Sequence, residues 1–254
     1  MSELWKKTLY TKNVRWIIHE IFEYDIAKAN ISILKSNGII SPTEYNMYAE
    51  MPKLQRQIAI GNLQKNPAFA KCISNGFERA RRNLVEANNL DDDDIVSIRK
   101  DAFYVMKKLD VVDFGDIHFT LRNKFSIMLK CVGLDIYFFY NDITDDMYCE
   151  VKGISDDKLQ YHQALLSFIG AWLKMALTGS IDTAILDILQ FMNKYEKYLV
   201  PIECYREFNN ASMFRFGQFG CFDTIPTDPT QLNINYNREV LRDIFQTISE
   251  IKYS

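Results

Sequence analysis

The hydrophobic pattern of this chain changes several times between strand-like and helix-like spacing. β-branched and aromatic residues are dense over residues 14–24 and predict a strand that ends near residue 26. Apolar residues at helical spacing then predict helices over residues 27–36, 43–65 and 68–87. Residues 95–106 predict two short strands joined by a tight turn at Arg99 and Lys100.

The second half of the chain continues with strands and then turns helical. The remaining strands are predicted at residues 117–120, 124–131, 134–140 and 148–151, and the remaining helices at 156–178, 181–198 and 238–251. Strands mixed with helices, followed by helices alone, are typical of the α+β class. We therefore predict an α+β protein with a helical C-terminal part.

Composition narrows the class of protein. The chain has 254 residues, of which 48% are hydrophobic and 25% charged, so it can bury a core as one large domain or two small ones. Its net charge of −3 argues against a protein that works by coating nucleic acid. It still allows a basic channel on an otherwise acidic surface, because residues 53–82 carry seven basic side chains and one acidic one.

Compartment is predicted from the cysteines and the apolar runs. Five cysteines stand without the close spacing of metal ligands, which favours reduced thiols in a cytoplasm. No apolar run reaches the ~18 residues that a membrane span requires, and no apolar run follows the lysines near the N-terminus. We expect a cytoplasmic protein that has no membrane partner.

Two carboxylates are candidates for chemistry because of their positions. Asp25 lies at the end of an apolar strand, and Asp101 follows the predicted turn between two apolar half-strands. If these strands are neighbours in one antiparallel sheet, both carboxylates project from the same edge, as a pair of Mg²⁺ ions requires. The residues alone leave the alternative open that each aspartate is a helix cap or a turn former.

The sequences around both aspartates resemble a known family. Residues 25–34 resemble the first palm motif of family B DNA polymerases, Asp-x-x-Ser-Leu-Tyr-Pro-Ser-Ile-Ile, with Asp25, Ser32 and the apolar pair after it in agreement. Residues 99–105 are similar to the second palm motif, Asp-Thr-Asp-Ser-Ile-Phe-Val. Here the second aspartate of the motif is present as Asp101, whereas the first is replaced by Arg99.

Two shorter elements resemble the same family in the same order. Asn123-Lys124-Phe125 resembles the Lys-Lys-x-Tyr element, in which a lysine meets the primer–template backbone. Residues 150–154, which include Lys152 and Gly153, resemble the Val-Lys-Gly junction at which the thumb begins. The four matches lie within residues 21–154, about half of the chain.

This resemblance implies an architecture. It implies an antiparallel-sheet polymerase palm at residues 1–154, interrupted by a short helical fingers insertion at about 41–70, and a helical thumb-like domain at 155–254. It also implies a small phage- or virus-encoded protein that acts in the cytoplasm of its host. The activity implied is template-directed nucleotidyl transfer by a minimal DNA polymerase.

The resemblance also implies a set of site residues and ligands. Asp25 and Asp101, with the backbone carbonyl of Ile26, would hold two Mg²⁺ ions, for which Mn²⁺ is an alternative. Lys124, Lys152 and Gly153 would contact the primer–template, and nucleoside triphosphates would be the substrates. Because the chain is nearly neutral, we expect weak unaided binding to DNA. We therefore also expect a replication protein partner that strengthens this binding.

Lys53 and Arg56 are candidates for nucleotide binding. They lie one helical turn apart, so both cations can reach the oxygens of one triphosphate. A solvated helix face explains the same two residues equally well.

The sequence departs from the polymerase pattern in several places. The 24 residues before Asp25 are too few for an exonuclease domain, and the Asn-Ser-x-Tyr-Gly motif of the fingers helix has no clean counterpart. Asn30 replaces the tyrosine that excludes a ribose 2′-hydroxyl, and Ile31 replaces the proline. These losses fit a minimal polymerase, and they equally fit a degenerate relative that serves as a nucleic-acid-binding or partner-binding scaffold. Chance similarity in an unrelated α+β protein is the third alternative.

Overall fold

The computed structural model describes residues 3–131, 134–141, 143–152, 163–201, 204 and 231–251. It combines helices with antiparallel strand pairs, so the predicted α+β class is confirmed. The chain divides into two compact units. The first contains residues 1–13 and 19–125, and the second contains residues 14–18 and 126–254.

The first unit is built on an antiparallel sheet whose strands do not follow the order of the chain. Its strands are β1 (Leu9–Thr11), β2 (Trp16–Ile26), β3 (Ile95–Arg99), β4 (Ala102–Val105), β5 (Asp113–Phe114) and β6 (Ile117–Cys131), of which β2 and β6 continue into the second unit. They follow the order β1-β3-β4-β2-β6, and β5 pairs with β6. The two strands predicted between residues 117 and 131 are one long strand, because no breaker interrupts the apolar alternation between them.

The β3–β4 hairpin turns one residue later than predicted. Arg99 pairs with Ala102, so the turn consists of Lys100 and Asp101 rather than Arg99 and Lys100. Lys100 has a φ of 56°, the left-handed conformation that the first position of such a turn requires. Asp101 is therefore part of the turn itself. The side chain of Arg99 instead donates from Nη2 to Oγ1 of Thr11 on β1 (3.0 Å).

Helices cover the sheet of the first unit. They are α1 (Ala29–Ser36), α2 (Pro42–Glu50), α3 (Lys53–Leu63) and α4 (Pro67–Ala87), and a short 3₁₀ turn spans Leu4–Lys6. The single helix predicted over residues 43–65 is two helices, because Pro52 lacks an N–H and favours an extended residue before it. Buried residues of α1 and α4, such as Ile33, Ala80 and Leu84, pack with the strands in one core.

Helix α3 has one fully buried residue. Leu54 and Ile58, which fit the helical period of an inward face, are 68% and 58% exposed. Ile60 is instead the buried residue of α3, and it packs with Ile31, Leu34, Ile40 and Ile73. Helical period therefore predicts the helix but not its buried side, since Ile60 faces the core from a different side of α3 than Leu54 and Ile58.

Close packing of α1 on α4 depends on Gly76. A Cβ atom at this position would lie 2.1 Å from Cγ2 of the fully buried Ile33. We predict that Gly76→Ala lowers the free energy of unfolding by about 1–3 kcal/mol, measured by urea denaturation, because an overpacked core must shift.

Gly61→Ala is the matched control on α3, where a Cβ meets nothing within 4 Å. This control should gain about 0.5–1 kcal/mol from helix propensity. Equal stability of the two variants would contradict the prediction.

Besides the ends of β2 and β6, the described residues of the second unit form two strands and three helices around a core of their own. Its elements are β7 (Leu134–Asn141), β8 (Asp146–Lys152), α5 (Gln163–Thr178), α6 (Ile181–Glu196) and α7 (Gln231–Ile251), with β7 between β6 and β8. Ile136 and Phe138 of β7 pack in one cluster with Leu165 and Leu173 of α5 and Ile244 of α7. The prediction had assigned these strands to a domain ending at residue 154, which lies outside the described residues. The compact units divide at residue 125, and β7 and β8 share their apolar core with the C-terminal helices. The division into a palm at 1–154 and a thumb at 155–254 stays a prediction.

Within the described ranges, no helix combines the length and the apolar character needed to span a bilayer.

Candidate functional site

Asp25 is the penultimate residue of β2, and the chain turns sharply after it. Lys28 adopts a left-handed conformation with a φ of 50°, and α1 begins directly afterwards. The buried hydroxyl of Ser32 donates to the carbonyl of Ala27 (2.8 Å). Ser32, one of the residues that carried the polymerase resemblance, thus fixes the strand-to-helix turn that presents Asp25.

Asp101 is held next to Asp25 by the backbone. Asp25 is paired with Ala102 across the sheet, and the N–H of Ile26 donates to the carbonyl of Asp101 (3.2 Å). The preceding carbonyl, that of Lys100, accepts a hydrogen bond from Nη1 of Arg81 (2.9 Å). The hairpin turn and the end of β2 therefore form one edge, as the sequence predicted for neighbouring strands.

A pocket of about 420 Å³ lies at this edge, within the first unit. Its lining includes all of the residues predicted for the metal and nucleotide sites, namely Asp25, Ile26, Lys53, Arg56 and Asp101. Its volume falls within the range of roughly 300–1,000 Å³ that small-molecule sites occupy. Asp25 and Asp101, which are 76 positions apart in the sequence, thus line a single cavity.

The pocket is rich in cations. Besides its two aspartates it is lined by the basic residues Lys28, Lys53, Arg56 and Arg122. Helix α3 contributes four side chains at the spacing of one helical face: Lys53, Arg56, Gln57 and Ile60. Ile60 is the buried member, and the polar members come from the first two turns. An excess of cations over carboxylates favours an anionic ligand.

The surroundings of Asp25 disfavour its charged form. Burial, followed by repulsion from Asp101, raises the pKa of the Asp25 carboxyl to about 6, although Arg122 acts in the opposite direction. Its Oδ1 atom is buried and has no hydrogen-bond partner among the described residues. Its Oδ2 atom lies 3.6 Å from Nε of Arg122. The carboxylate is therefore held in an environment that disfavours the bare anion.

These features fit a divalent cation. An orphaned carboxylate oxygen beside a second carboxylate is a donor set that Mg²⁺ accepts. In the described part of the chain, no group of three or more His, Cys, Asp and Glu side chains could enclose a metal. Two carboxylates are nevertheless enough where a bound phosphate and water complete the shell, which is the usual arrangement for Mg²⁺.

A buried polar network supports β2 beside the pocket. Glu23, only 6% exposed, accepts hydrogen bonds from the hydroxyl of Tyr104 and from Nδ2 of Asn123, both at 2.6 Å. Glu23 and Asp25 are two residues apart on one strand, so their side chains lie on the same face. The network ties β2 to β4 and β6 and limits the freedom of the strand that carries Asp25.

The predicted nucleic-acid contacts are not part of the pocket lining. Lys124 on β6 forms an ion pair with Glu20, and its ammonium lies 5.9 Å from the ring centroid of Phe22. Lys152 ends β8, opposite Asp135, and its side chain lies outside the described part of the structure. Gly153 also lies outside the described residues. These three remain predictions from the resemblance.

Sequence reasoning missed several pocket residues. Arg122 directly precedes the element that drew attention to Lys124, and its role depends on the register of β6. Lys28 enters the pocket through its left-handed backbone, which no pattern predicts for a lysine. Gln57 follows Arg56, and the i, i+4 spacing from Lys53 could have identified it.

Comparison with known proteins gives a family. No curated protein matches this sequence. A family model described as "Bacteriophage PBS1 gene 130 protein" matches residues 1–213. That description names a phage gene and no activity, and it agrees with the prediction of a phage- or virus-encoded protein. Because the match covers most of the 254 residues, the chain belongs to the bacteriophage PBS1 gene 130 protein family.

Proposed function

We propose that this protein is a minimal, family-B-like nucleotidyltransferase that binds a nucleoside triphosphate with divalent cations and extends a primer on a template. The first unit would act as the polymerase palm, with α2 and α3 as reduced fingers. Its nucleic acid would be a primer–template in the cytoplasm of a bacterial host, gripped with the help of a replication protein. The C-terminal helices would serve as a thumb.

One observation supports this proposal above all others. The two aspartates that the polymerase resemblance selected and the two α3 cations that helical spacing selected line one pocket. Either pair alone has a simpler structural explanation, since aspartates commonly cap and turn chains and cations commonly lie on solvated helix faces. Their convergence combines a metal-type donor pair with a phosphate-type cation pair, which is the combination that phosphoryl transfer needs.

Each pocket residue has a role in this proposal. Asp25 and Asp101 hold the divalent cations, and Lys53 and Arg56 neutralise the triphosphate from α3. When bound, the two cations would supply Lewis-acid activation of the primer hydroxyl and stabilisation of the leaving pyrophosphate. Asn30, which also lines the pocket, is small enough that we expect poor discrimination between deoxyribose and ribose. The hairpin turn and the Glu23 network keep the two carboxylates in register.

Primer extension tests the proposal directly. We expect the purified chain to lengthen a labelled primer on a template with Mg²⁺ or Mn²⁺, and to lose this activity with a chelator. Asp101→Asn should lower the rate at least about 10³-fold, because positioned metal charge contributes most of the rate in phosphoryl transfer. Lys35→Gln, which removes a cation paired with Asp116 outside the pocket lining, is the control and should retain the wild-type rate. An Asp101→Asn variant as active as the wild type would refute the assignment.

A second candidate function is a catalytically degenerate scaffold that binds nucleic acid or a replication partner. The observation that favours it is Arg122, whose guanidinium already neutralises part of the charge on Asp25. Arg99 in place of the first aspartate of the second motif points the same way. Retained binding of a primer–template, with no extension for any nucleotide or divalent cation, would support the scaffold and exclude the enzyme.

A further inference from the structure

We propose that Arg122 is a positioning residue that exchanges partners: it neutralises Asp25 in the metal-free pocket and moves to a ligand phosphate when divalent cations bind. The inference rests on the proposed function, because it assumes that the pocket takes a cation together with a polyphosphate. It assigns a role to a residue for which the polymerase resemblance gave none.

The contact between Arg122 and Asp25 is loose. The Nε–Oδ2 distance of 3.6 Å exceeds that of a hydrogen bond. The side chain of Arg122 is 53% exposed, so solvent screens the pair and little free energy is lost when it separates. Arg122 is also the one basic residue of the pocket lining that forms an ion pair with an acidic residue in the described part of the chain.

Metal binding and this ion pair exclude each other electrostatically. A divalent cation on Asp25 would lie within a few ångströms of the guanidinium, and two positive charges at that distance repel. An exposed arginine relieves the repulsion by rotating away. The displaced guanidinium remains in a pocket whose other cations are Lys28, directly before α1, and Lys53 and Arg56 on α3, and a polyphosphate would lie among them. Its planar fork matches two phosphate oxygens at once, a geometry that lysine lacks.

Partner exchange predicts that loss of the Arg122 guanidinium changes the affinity for metal and the affinity for polyphosphate in opposite directions. Removal of the guanidinium relieves competition for Asp25, so it should strengthen binding of the metal alone. It also removes a phosphate contact, so it should weaken binding of a polyphosphate in the presence of metal. If Arg122 only supported the fold, its removal would weaken both Mn²⁺ binding and polyphosphate binding. If it were only a phosphate ligand, its removal would weaken polyphosphate binding and leave Mn²⁺ binding unchanged.

Titration of Arg122→Gln separates these cases. We expect its Mn²⁺ dissociation constant, measured by electron paramagnetic resonance, to be about two- to fivefold lower than that of the wild type. We expect inorganic tripolyphosphate, titrated calorimetrically at saturating Mn²⁺, to bind about tenfold more weakly. Arg122→Lys should restore part of the tripolyphosphate affinity. Arg82→Gln, an exposed arginine outside the pocket lining, is the charge-matched control and should leave both constants within twofold of the wild type.

Each remaining outcome is decisive. Arg122→Gln constants that both equal those of the wild type, that both become weaker, or of which only one changes overturn the partner exchange while leaving the proposed function intact. A wild-type protein that binds no Mn²⁺ at this pocket overturns the proposed function and the exchange together. The two failures are therefore distinguishable by the wild-type titration alone.

Discussion

Replacing Asp25 by asparagine is expected to make the metal-free protein more stable and unable to bind metal. At pH 7 the carboxylate is an anion in a site that disfavours one, because burial and Asp101 together raise its pKa to about 6. A rise from 3.8 to about 6 corresponds to at most about 3 kcal/mol. Since 29% of the side chain stays exposed and solvent screens the charge, we expect a gain of about 1–2 kcal/mol in urea denaturation.

The pH dependence of this gain has a definite sign. The folded-state pKa of Asp25 is higher than the unfolded one, so the folded protein binds the proton more tightly. The contribution of this carboxyl to stability is therefore most favourable below about pH 4, and it is lost as the pH rises through about 6. The stability advantage of Asp25→Asn over the wild type should accordingly be larger at pH 7 than at pH 5. An equal advantage at both values would contradict the assigned cause.

Metal binding should change in the opposite direction. We expect the Mn²⁺ affinity of Asp25→Asn to fall at least about 100-fold, because an amide replaces a charged ligand. Asp116→Asn is the control: it removes a carboxylate that pairs with Lys35 outside the pocket lining, and it should leave Mn²⁺ binding unchanged. A destabilised Asp25→Asn variant that still binds Mn²⁺ would show that Asp25 is a structural residue.

The sequence was informative where local chemistry decides structure. The apolar run before Asp25 and the tight turn near Asp101 predicted two strand ends, and the antiparallel register of β2 and β4 then places both residues at one edge. Lys53 and Arg56 share a helical face whatever the tertiary structure, so their spacing survived the division of the predicted helix at Pro52. Each of the two pairs could be recognised from the sequence, whereas their convergence in one pocket depends on the tertiary structure.

Long-range packing explains what could not be predicted. Arg122 reaches Asp25 only through the arrangement of β6 beside β2, which no local pattern encodes. The side of α3 that faces the core depends on the cluster around Ile60, and helical period alone does not identify that side. Each miss concerns contacts between segments distant in the sequence.

Arg81→Met should destabilise the protein by about 2–4 kcal/mol. Arg81 is 1% exposed, and its guanidinium donates from Nε to the carbonyl of Trp5 (2.8 Å) and from Nη1 to that of Lys100 (2.9 Å). Burial lowers the pKa of this guanidinium, which reflects the cost of holding the charge away from water. Methionine removes that cost but leaves both carbonyls without their charged donor, and each such hydrogen bond contributes about 1.5–3 kcal/mol. The free energy lost with the two hydrogen bonds should exceed the free energy gained by no longer burying the charge.

The same substitution should reach the pocket, because Lys100 directly precedes Asp101 in the hairpin turn. We expect Arg81→Met, assayed at a temperature where it remains folded, to bind Mn²⁺ at least about tenfold more weakly than the wild type. Arg82→Met is the adjacent control: Arg82 is exposed and lies 5.7 Å from the ring centroid of Trp5, so its loss should cost no more than about 1 kcal/mol. Should Arg81→Met not fold, Arg81→Lys retains the charge and one donor group and allows the same two measurements. If Arg81→Met unfolds at the same urea concentration as Arg82→Met, the buried arginine does not hold the hairpin. If it is less stable yet binds Mn²⁺ normally, the turn at Asp101 is fixed by the sheet register instead.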